Sequence, residues 1–510
     1  MSLPALSSFL ERWATIADLQ DVSALVQWDQ ETGMPSAGAE ARGRALATLA
    51  ALRHRELTDD GLHEALGIAD EEVAAAGAPA EETALLHWAR REIEKARCIP
   101  ARLATALAEC ESRNLLAWQK ARAEKDFSLF ADGLAEAVAL NRERAACLAP
   151  DGRPYDALLD LYEPGVTEAN LVPVFAELEE VLVPLLQEVA ASGREVDESP
   201  AQGHFPAEQQ RAFAAMVAEA IGFDFEAGRL DPTTHPFCTS IGAGDVRITW
   251  RHLEDDFRSA LFGVMHEAGH GLYEQGLPAR WARTPLHGAT GLGMHESQSR
   301  LWENQVGRSE SFWHWAMPAF VEAFPDKAGT TPEQLYPALH TCKPTFIRVE
   351  ADEATYNLHV AARFHIERAL FAGEVEAAEL PELWDDTYER LLGIRPGDAA
   401  QGVLQDIHWA MGAFGYFPTY TLGNLIAAQL FEVAGRELGD LDTAFRAGEF
   451  APLRAWLGEK VHDRGRILDT NGLVAEVCGG PIEAGPFLSS LSASLERVYG
   501  VRLAVSAEKM

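Results

Sequence analysis

Apolar positions recur every three or four residues along most of this chain, the spacing of a helix that buries one face. Over the first 150 residues the pattern passes from segment to segment, as in AEARGRALATLAALRHREL (39–57) and EETALLHWARREIEKARCIPARLATALAECESRNLLAWQKARAEKD (81–126). Ala, Leu, Glu and Arg dominate these stretches, and all four are strong helix formers. TEANLVPVFAELEEVLVPLLQEVAAS (167–192) repeats the pattern with Thr167 as its N-cap, and a further helix is predicted over 205–222, stopped by Gly222.

The texture changes between 231 and 252, where DPTTHPFCTSIGAGDVRITWRH is rich in Thr, Pro and Gly and VRITW alternates as a short strand does. Helical periodicity resumes at 253, with loops expected near 280–293, 325–331 and 392–400. There is no internal repeat and no linker long or polar enough to separate domains. The pattern predicts a mostly α-helical fold with a small β element near 240–250, built as a single domain over 1–510.

Composition narrows the function classes. With 78 acidic against 43 basic residues the formal charge is −35, a field that repels nucleic acid and anionic membrane surfaces. The acidic residues are scattered along helical patterns and form no block. The six cysteines lie far apart without a CxxC pair, which argues against a thiolate metal site or a disulfide framework. The opening MSLPALSSFLERWATIADLQ lacks a basic region followed by an apolar run, and no apolar stretch approaches the ~18 residues of a membrane span. The expectation is a cytoplasmic protein.

The chemistry concentrates in LEDDFRSALFGVMHEAGHGLYEQGL (253–277), which contains HEAGH. On a helix, His266 and His270 project from one face a turn apart and can fill two corners of a tetrahedral zinc site. Glu267 lies at the edge of that face, where a carboxylate can take a proton from an attacking water. An HExxH string arises by chance in roughly one such chain in twenty, so it does not stand alone as proof. Its surroundings, Val264, Met265, Ala268, Gly269 and Gly271, are apolar and small, and histidines buried there need partners. For a third ligand, Glu296 near the start of the helix predicted in GLGMHESQSRLWENQ is the first choice. Glu303, on a similar face two turns deeper, is the fallback, and His295 reads better as a supporting residue than as a ligand. Two His, one Glu and an open position describe a catalytic site.

Several motifs then stand in order along the chain: HPF (235–237), DVRIT (245–249), HEAGH (266–270), HESQ (295–298), IRVEAD (347–352) and GVLQDIHW (402–409), after the opening LVQWDQETGMPSAGAEARG (25–43). Together they resemble the carboxypeptidase Taq family of metallocarboxypeptidases. The resemblance implies a helical metallopeptidase fold with a deep groove, a homodimer, and release of C-terminal residues from peptides with broad specificity. It also implies Glu296 as third ligand of a zinc ion, with cobalt possible.

A carboxypeptidase must hold a free C-terminal carboxylate, which Arg does best through its fork of N–H groups. Arg348 in IRVEAD is the first candidate, with Arg247 in DVRIT and Arg395 in GIRPGD as alternatives. An oxyanion donor is sought in QDIHWAMGAFGYFPTYTLGN (405–424), where analogy with related helical metallopeptidases favours Tyr420 with His408 as its companion, and core packing for Tyr416. Asp245 and Asp352 are candidates for orienting a His ligand or an Arg from behind, and His235 and Thr249 for lining the groove beside VRITW. An oligopeptidase with the same metal chemistry, or a helical binding protein without catalysis, are the rival readings.

Overall fold

The computed structural model describes residues 3–502. Helices run from Pro4–Thr32 to Gly485–Tyr499, interrupted by one small sheet. The periodic segments fold as read: the Thr167 pattern becomes Glu168–Ala191 behind a capping box between Thr167 and Asn170, and the next helix, Ala207–Ile221, ends where Gly222 turns to φ 107°.

The sheet holds three strands, β1 (Gly228–Pro232), β2 (Cys238–Ser240) and β3 (Val246–Trp250). The predicted VRITW strand is the central one, parallel to β1 and antiparallel to β2. Sequence reading found only β3, because GRLDP and CTS are too short and too polar to show alternation by themselves. Thr249, fully buried, donates to the Phe237 carbonyl (3.0 Å) and accepts from the Phe237 amide (2.8 Å), so it staples the β2–β3 connection. His235 lies exposed just before it.

Two hydrophobic clusters are buried. The larger runs from Cys110 to Tyr499, and the smaller gathers Phe9, Trp13 and Ile16 of the first helix with Leu62, Leu66, Leu86 and Ile93, closed by Trp281 and Leu286. The first helix is tied to the sheet by Trp28, whose ring lies against the guanidinium groups of Arg247 (4.2 Å) and Arg229 (4.9 Å). Arg247 is also bonded to Asp245 through two nitrogens, at 2.8 and 2.7 Å. No helix among the described residues is long and apolar enough to cross a membrane.

Candidate active site

HEAGH lies mid-way along the helix Arg258–Gly276, and HESQ in the helix Leu292–Arg300 that packs across it. Small residues let these backbones meet. A Cβ on Gly269 would stand 2.5 Å from the Gln298 carbonyl oxygen, so no larger residue fits at that crossing. On the other side, a Cβ on Gly423 of the helix Pro418–Leu438 would stand 2.4 Å from Glu296 Cγ. The HESQ helix is thus clasped between the HEAGH helix and the helix that carries Tyr420.

The clasp brings His266, His270 and Glu296 together, with one ligand atom of each within 4.8 Å of the others. Glu296 Oε2 stands 3.6 Å from His266 Nε2 and 3.4 Å from His270 Nε2. Ligand atoms on a tetrahedral zinc stand about 3.3–3.6 Å from one another, so the spacing fits such an ion. The hydrogen bonds fit it too. His266 Nδ1 meets Glu303 Oε2 at 2.9 Å and His270 Nδ1 meets the His295 carbonyl at 3.1 Å, so each Nδ1 donates to an acceptor behind it and both Nε2 atoms face the same oxygen. Arg300 Nε donates to Glu296 Oε1 at 2.7 Å and Ser299 Oγ to Oε2 at 3.1 Å, and Oε2 is the oxygen that faces both Nε2 atoms.

Glu303, the fallback ligand, therefore sits behind His266. The chain from Leu301 to Val306 forms a π-helix, whose wider turn changes the helical phase that simple spacing assumed. The same carboxylate accepts from Arg300 (3.1 Å) and Arg308 (3.4 Å).

Electrostatics divide the group. Burial opposes charge on Glu296 and Glu303, but Arg300 and His266 outweigh it, holding Glu296 well below the usual carboxylate range and Glu303 at about 2. Burial also works against a charged His266, yet the carboxylates of Glu296 and Glu303 push it up to about 9, so the pocket attracts positive charge. His270 is pulled down to about 4 by burial and by His295. Glu267, only 6% exposed, is pushed up to about 7 by burial, with His266 opposing. A carboxyl near neutrality can both take and return a proton.

A second cluster adjoins the first through Tyr356. Its ring carries Arg300 at 4.5 Å, and its hydroxyl accepts from Arg348 Nη1 at 2.9 Å. Arg348 donates to Asp406 Oδ1 through Nε (3.1 Å) and Nη2 (2.9 Å), while the fully buried Arg363 donates to Asp406 Oδ2 through Nε (2.7 Å) and Nη2 (2.5 Å). The Arg348 guanidinium lies 4.8 Å from the Tyr420 ring, and the Tyr420 hydroxyl meets His408 Nε2 at 3.3 Å. Burial first, and the nearby Arg348 and Arg363, push His408 down to about 3, so its imidazole is neutral. Glu367 anchors this loop by accepting from Tyr155 Oη (2.8 Å), Trp409 Nε1 (2.8 Å) and the Gly415 amide (2.9 Å).

Other sequence candidates land elsewhere. Arg395 is an exposed residue paired with Asp386 (2.7 Å), Glu389 (3.1 Å) and Asp385 (3.8 Å), which corrects its reading as a carboxylate clamp: surface carboxylates already neutralise it. Arg247 is committed to Asp245 and Trp28, as described. Asp352 caps the helix Glu353–Ala372 through the Thr355 amide (3.0 Å), a different task from orienting a ligand. Tyr416 is half-buried beside His408 (5.1 Å) and Tyr420 (5.4 Å) and belongs with them, not with the core. Sequence reading missed Arg300, Tyr356, Arg363 and Asp406. Asp406 stood inside GVLQDIHW, and only its placement in that motif could have pointed to it. Another His/Glu grouping, Glu310, His314 and Glu333, has Glu310 already bound by Arg446 and Arg497 and Glu333 exposed.

The description Carboxypeptidase Taq (M32) metallopeptidase matches residues 8–495. The chain belongs to the carboxypeptidase Taq (M32) family. It is 44% identical over 505 residues to thermostable carboxypeptidase 1 of Thermus thermophilus, covering 97% of this chain and 99% of that protein. Carboxypeptidase 1 of Bacillus subtilis is 37% identical over 492 residues, covering 96% and 98% of the two chains. Among solved structures, the M32 carboxypeptidase of Deinococcus radiodurans R1 superposes with a TM-score of 0.94 at 38% identity, over 98% of this chain and all of that one. The protein is a metallocarboxypeptidase that uses a divalent metal, and its fold is the mostly helical one that the periodicity and the motifs implied.

Proposed function

We propose that this single-domain metallocarboxypeptidase removes residues one at a time from the free C-terminus of peptides with broad specificity, using zinc held by His266, His270 and Glu296. Cobalt is a working substitute, and the enzyme acts as a cytoplasmic homodimer. The family resemblance supports the dimer and the setting, and the six cysteines all stand as free thiols.

The bound metal would supply Lewis acidity at the scissile carbonyl and at the attacking water. Glu267 takes the proton from that water and returns it to the leaving amine. Neutral His408 donates through Nε2–H to the Tyr420 oxygen, which leaves the phenolic proton for the oxygen that gains charge during attack. Arg348 receives the terminal carboxylate through the N–H on each terminal nitrogen that Asp406 and Tyr356 leave free.

The observation that carries this reading is the adjacency of two clusters of opposite charge balance across Tyr356. One has an excess of carboxylate around Nε2 atoms that converge, which suits a cation. The other has Arg348 and Arg363 sharing Asp406 alone, which suits an anion a short distance away. The test is a mass-spectrometric time course on an N-terminally blocked peptide with zinc- or cobalt-loaded protein. A ladder of single C-terminal losses is expected, blocked by C-terminal amidation and slowed about 10²–10⁴-fold by Glu267→Gln. Internal cleavage that ignores amidation would establish an oligopeptidase and remove Arg348 from its role.

A further inference from the structure

Behind His270 runs a hydrogen-bonded chain that the reaction above does not use. His270 Nδ1 stands 2.5 Å from His295 Nδ1, and the opposite nitrogen, His295 Nε2, stands 2.9 Å from Glu274 Oε1. His270 and Glu274 lie one turn apart on the HEAGH helix, and His295 comes from the first turn of the HESQ helix and wedges between them. The wedge is held in place. The Tyr273 ring lies 5.4 Å from His295 and stacks on His462 at 5.1 Å, and His462 Nε2 is in turn 2.9 Å from Gln298 Oε1. The side chains of His295 and Glu274 are 19% and 15% exposed, so their contact is largely shielded from water.

The direction of the chain follows from donor chemistry. A carboxylate only accepts, so the contact with Glu274 places an N–H of His295 on Nε2. His295 Nδ1 is left as the acceptor and, at 2.5 Å against 3.1 Å for the His295 carbonyl, is the nearer of the two acceptors for the His270 Nδ1 proton. That proton cannot sit on His270 Nε2, whose lone pair is left facing Glu296 Oε2. His266 reaches the same state more simply, with the Glu303 carboxylate bonded directly to its Nδ1.

Building on the metal-site reading above, we propose that His295 and Glu274 are positioning residues for the metal, a His–Glu relay that sets the tautomer and plane of His270 and thereby the affinity of the site. The HES histidine thus acts through another ligand and does not itself bind the ion.

The test measures zinc dissociation constants of the full chain by competition with a chromophoric chelator, for the wild type, His270→Ala, Glu274→Gln, His295→Ala and the Glu274→Gln/His295→Ala pair. Glu274→Gln and His295→Ala are each expected to weaken zinc about 10–100-fold, the range for partners behind a ligating His. The double variant is expected to match His295→Ala, because Glu274 acts only through His295. Wild-type affinity in Glu274→Gln, or losses that multiply in the double variant, would overturn the relay while leaving the site intact. Unchanged affinity in His270→Ala would instead overturn the metal site itself. If His295→Ala does not fold by circular dichroism, His295→Phe keeps a ring without nitrogens and the same comparison is read from it.

Discussion

On one side of the Tyr356 ring, the carboxylates of Glu267, Glu296 and Glu303 gather around two histidines with Arg300 and Arg308 as counter-charges. On the other, Arg348 and Arg363 divide the two oxygens of Asp406 between them. Both groups are buried, and both are costly to assemble, since an ion in the interior must be paired to remain charged. They differ in what they leave unmet. The histidine side keeps both Nε2 atoms pointed at one carboxylate oxygen, 3.6 and 3.4 Å away. The arginine side satisfies every carboxylate oxygen and retains an excess of N–H donors. The first balance suits a cation and the second an anion, and the proposed function assigns them to the metal and to the terminal carboxylate.

Removing the shared anion is expected to have the largest effect. Asp406→Asn leaves two buried guanidinium groups without their carboxylate and should cost about 3–5 kcal/mol of stability in denaturant unfolding. Zinc affinity should stay at the wild-type value, because Asp406 pairs with Arg348 and Arg363 and with no residue of the histidine group. A matching loss of zinc binding would show that the clusters are one unit.

Acidity offers a second way in. Glu367 is fully buried and pushed up to about 7 by burial, despite its three donors, from an ordinary 4.5. A carboxyl whose folded pKa is raised favours the protonated state. Its contribution is fully present below about 4.5 and is lost as pH rises through about 7, amounting to about 3 kcal/mol over that window. The wild type minus Glu367→Gln difference in unfolding free energy, measured from pH 4 to 8, should show that slope and flatten above it. A flat difference would mean that donors, not burial, govern this carboxyl.

Smaller still is the effect on recognition. Arg348→Met should lower kcat/KM on free C-terminal peptides about 10–100-fold, the value of a charge-assisted hydrogen bond, with zinc affinity unchanged. Arg395→Ala should leave kcat/KM where it was. Equal losses in the two variants would dissolve the distinction between a buried guanidinium with donors to spare and a surface one already neutralised.

Much of this was legible in the chain. Helices showed through because burying one face imposes a period that survives any tertiary arrangement. HEAGH was readable because its ligands sit one turn apart on a single element, and a helix alone brings them together. Glu296 could be named because its helix begins near its motif. β1 and β2 were invisible because strands of 5 and 3 residues depend on pairing with β3 for their shape.

By itself, then, the sequence determined which segments are helical, which residue types could hold a metal, and the family to which their order belongs. The tertiary structure alone decided which arginine retains free donors, that Glu303 supports His266 from behind through a π-turn, and that His295 links His270 to Glu274. The physical reason is range. A helical period and an i,i+4 pair are set by neighbours along the chain. The state of a buried charge is set by whichever partner packs against it, and Arg348 finds its partner 58 positions away, His266 37 and His295 21.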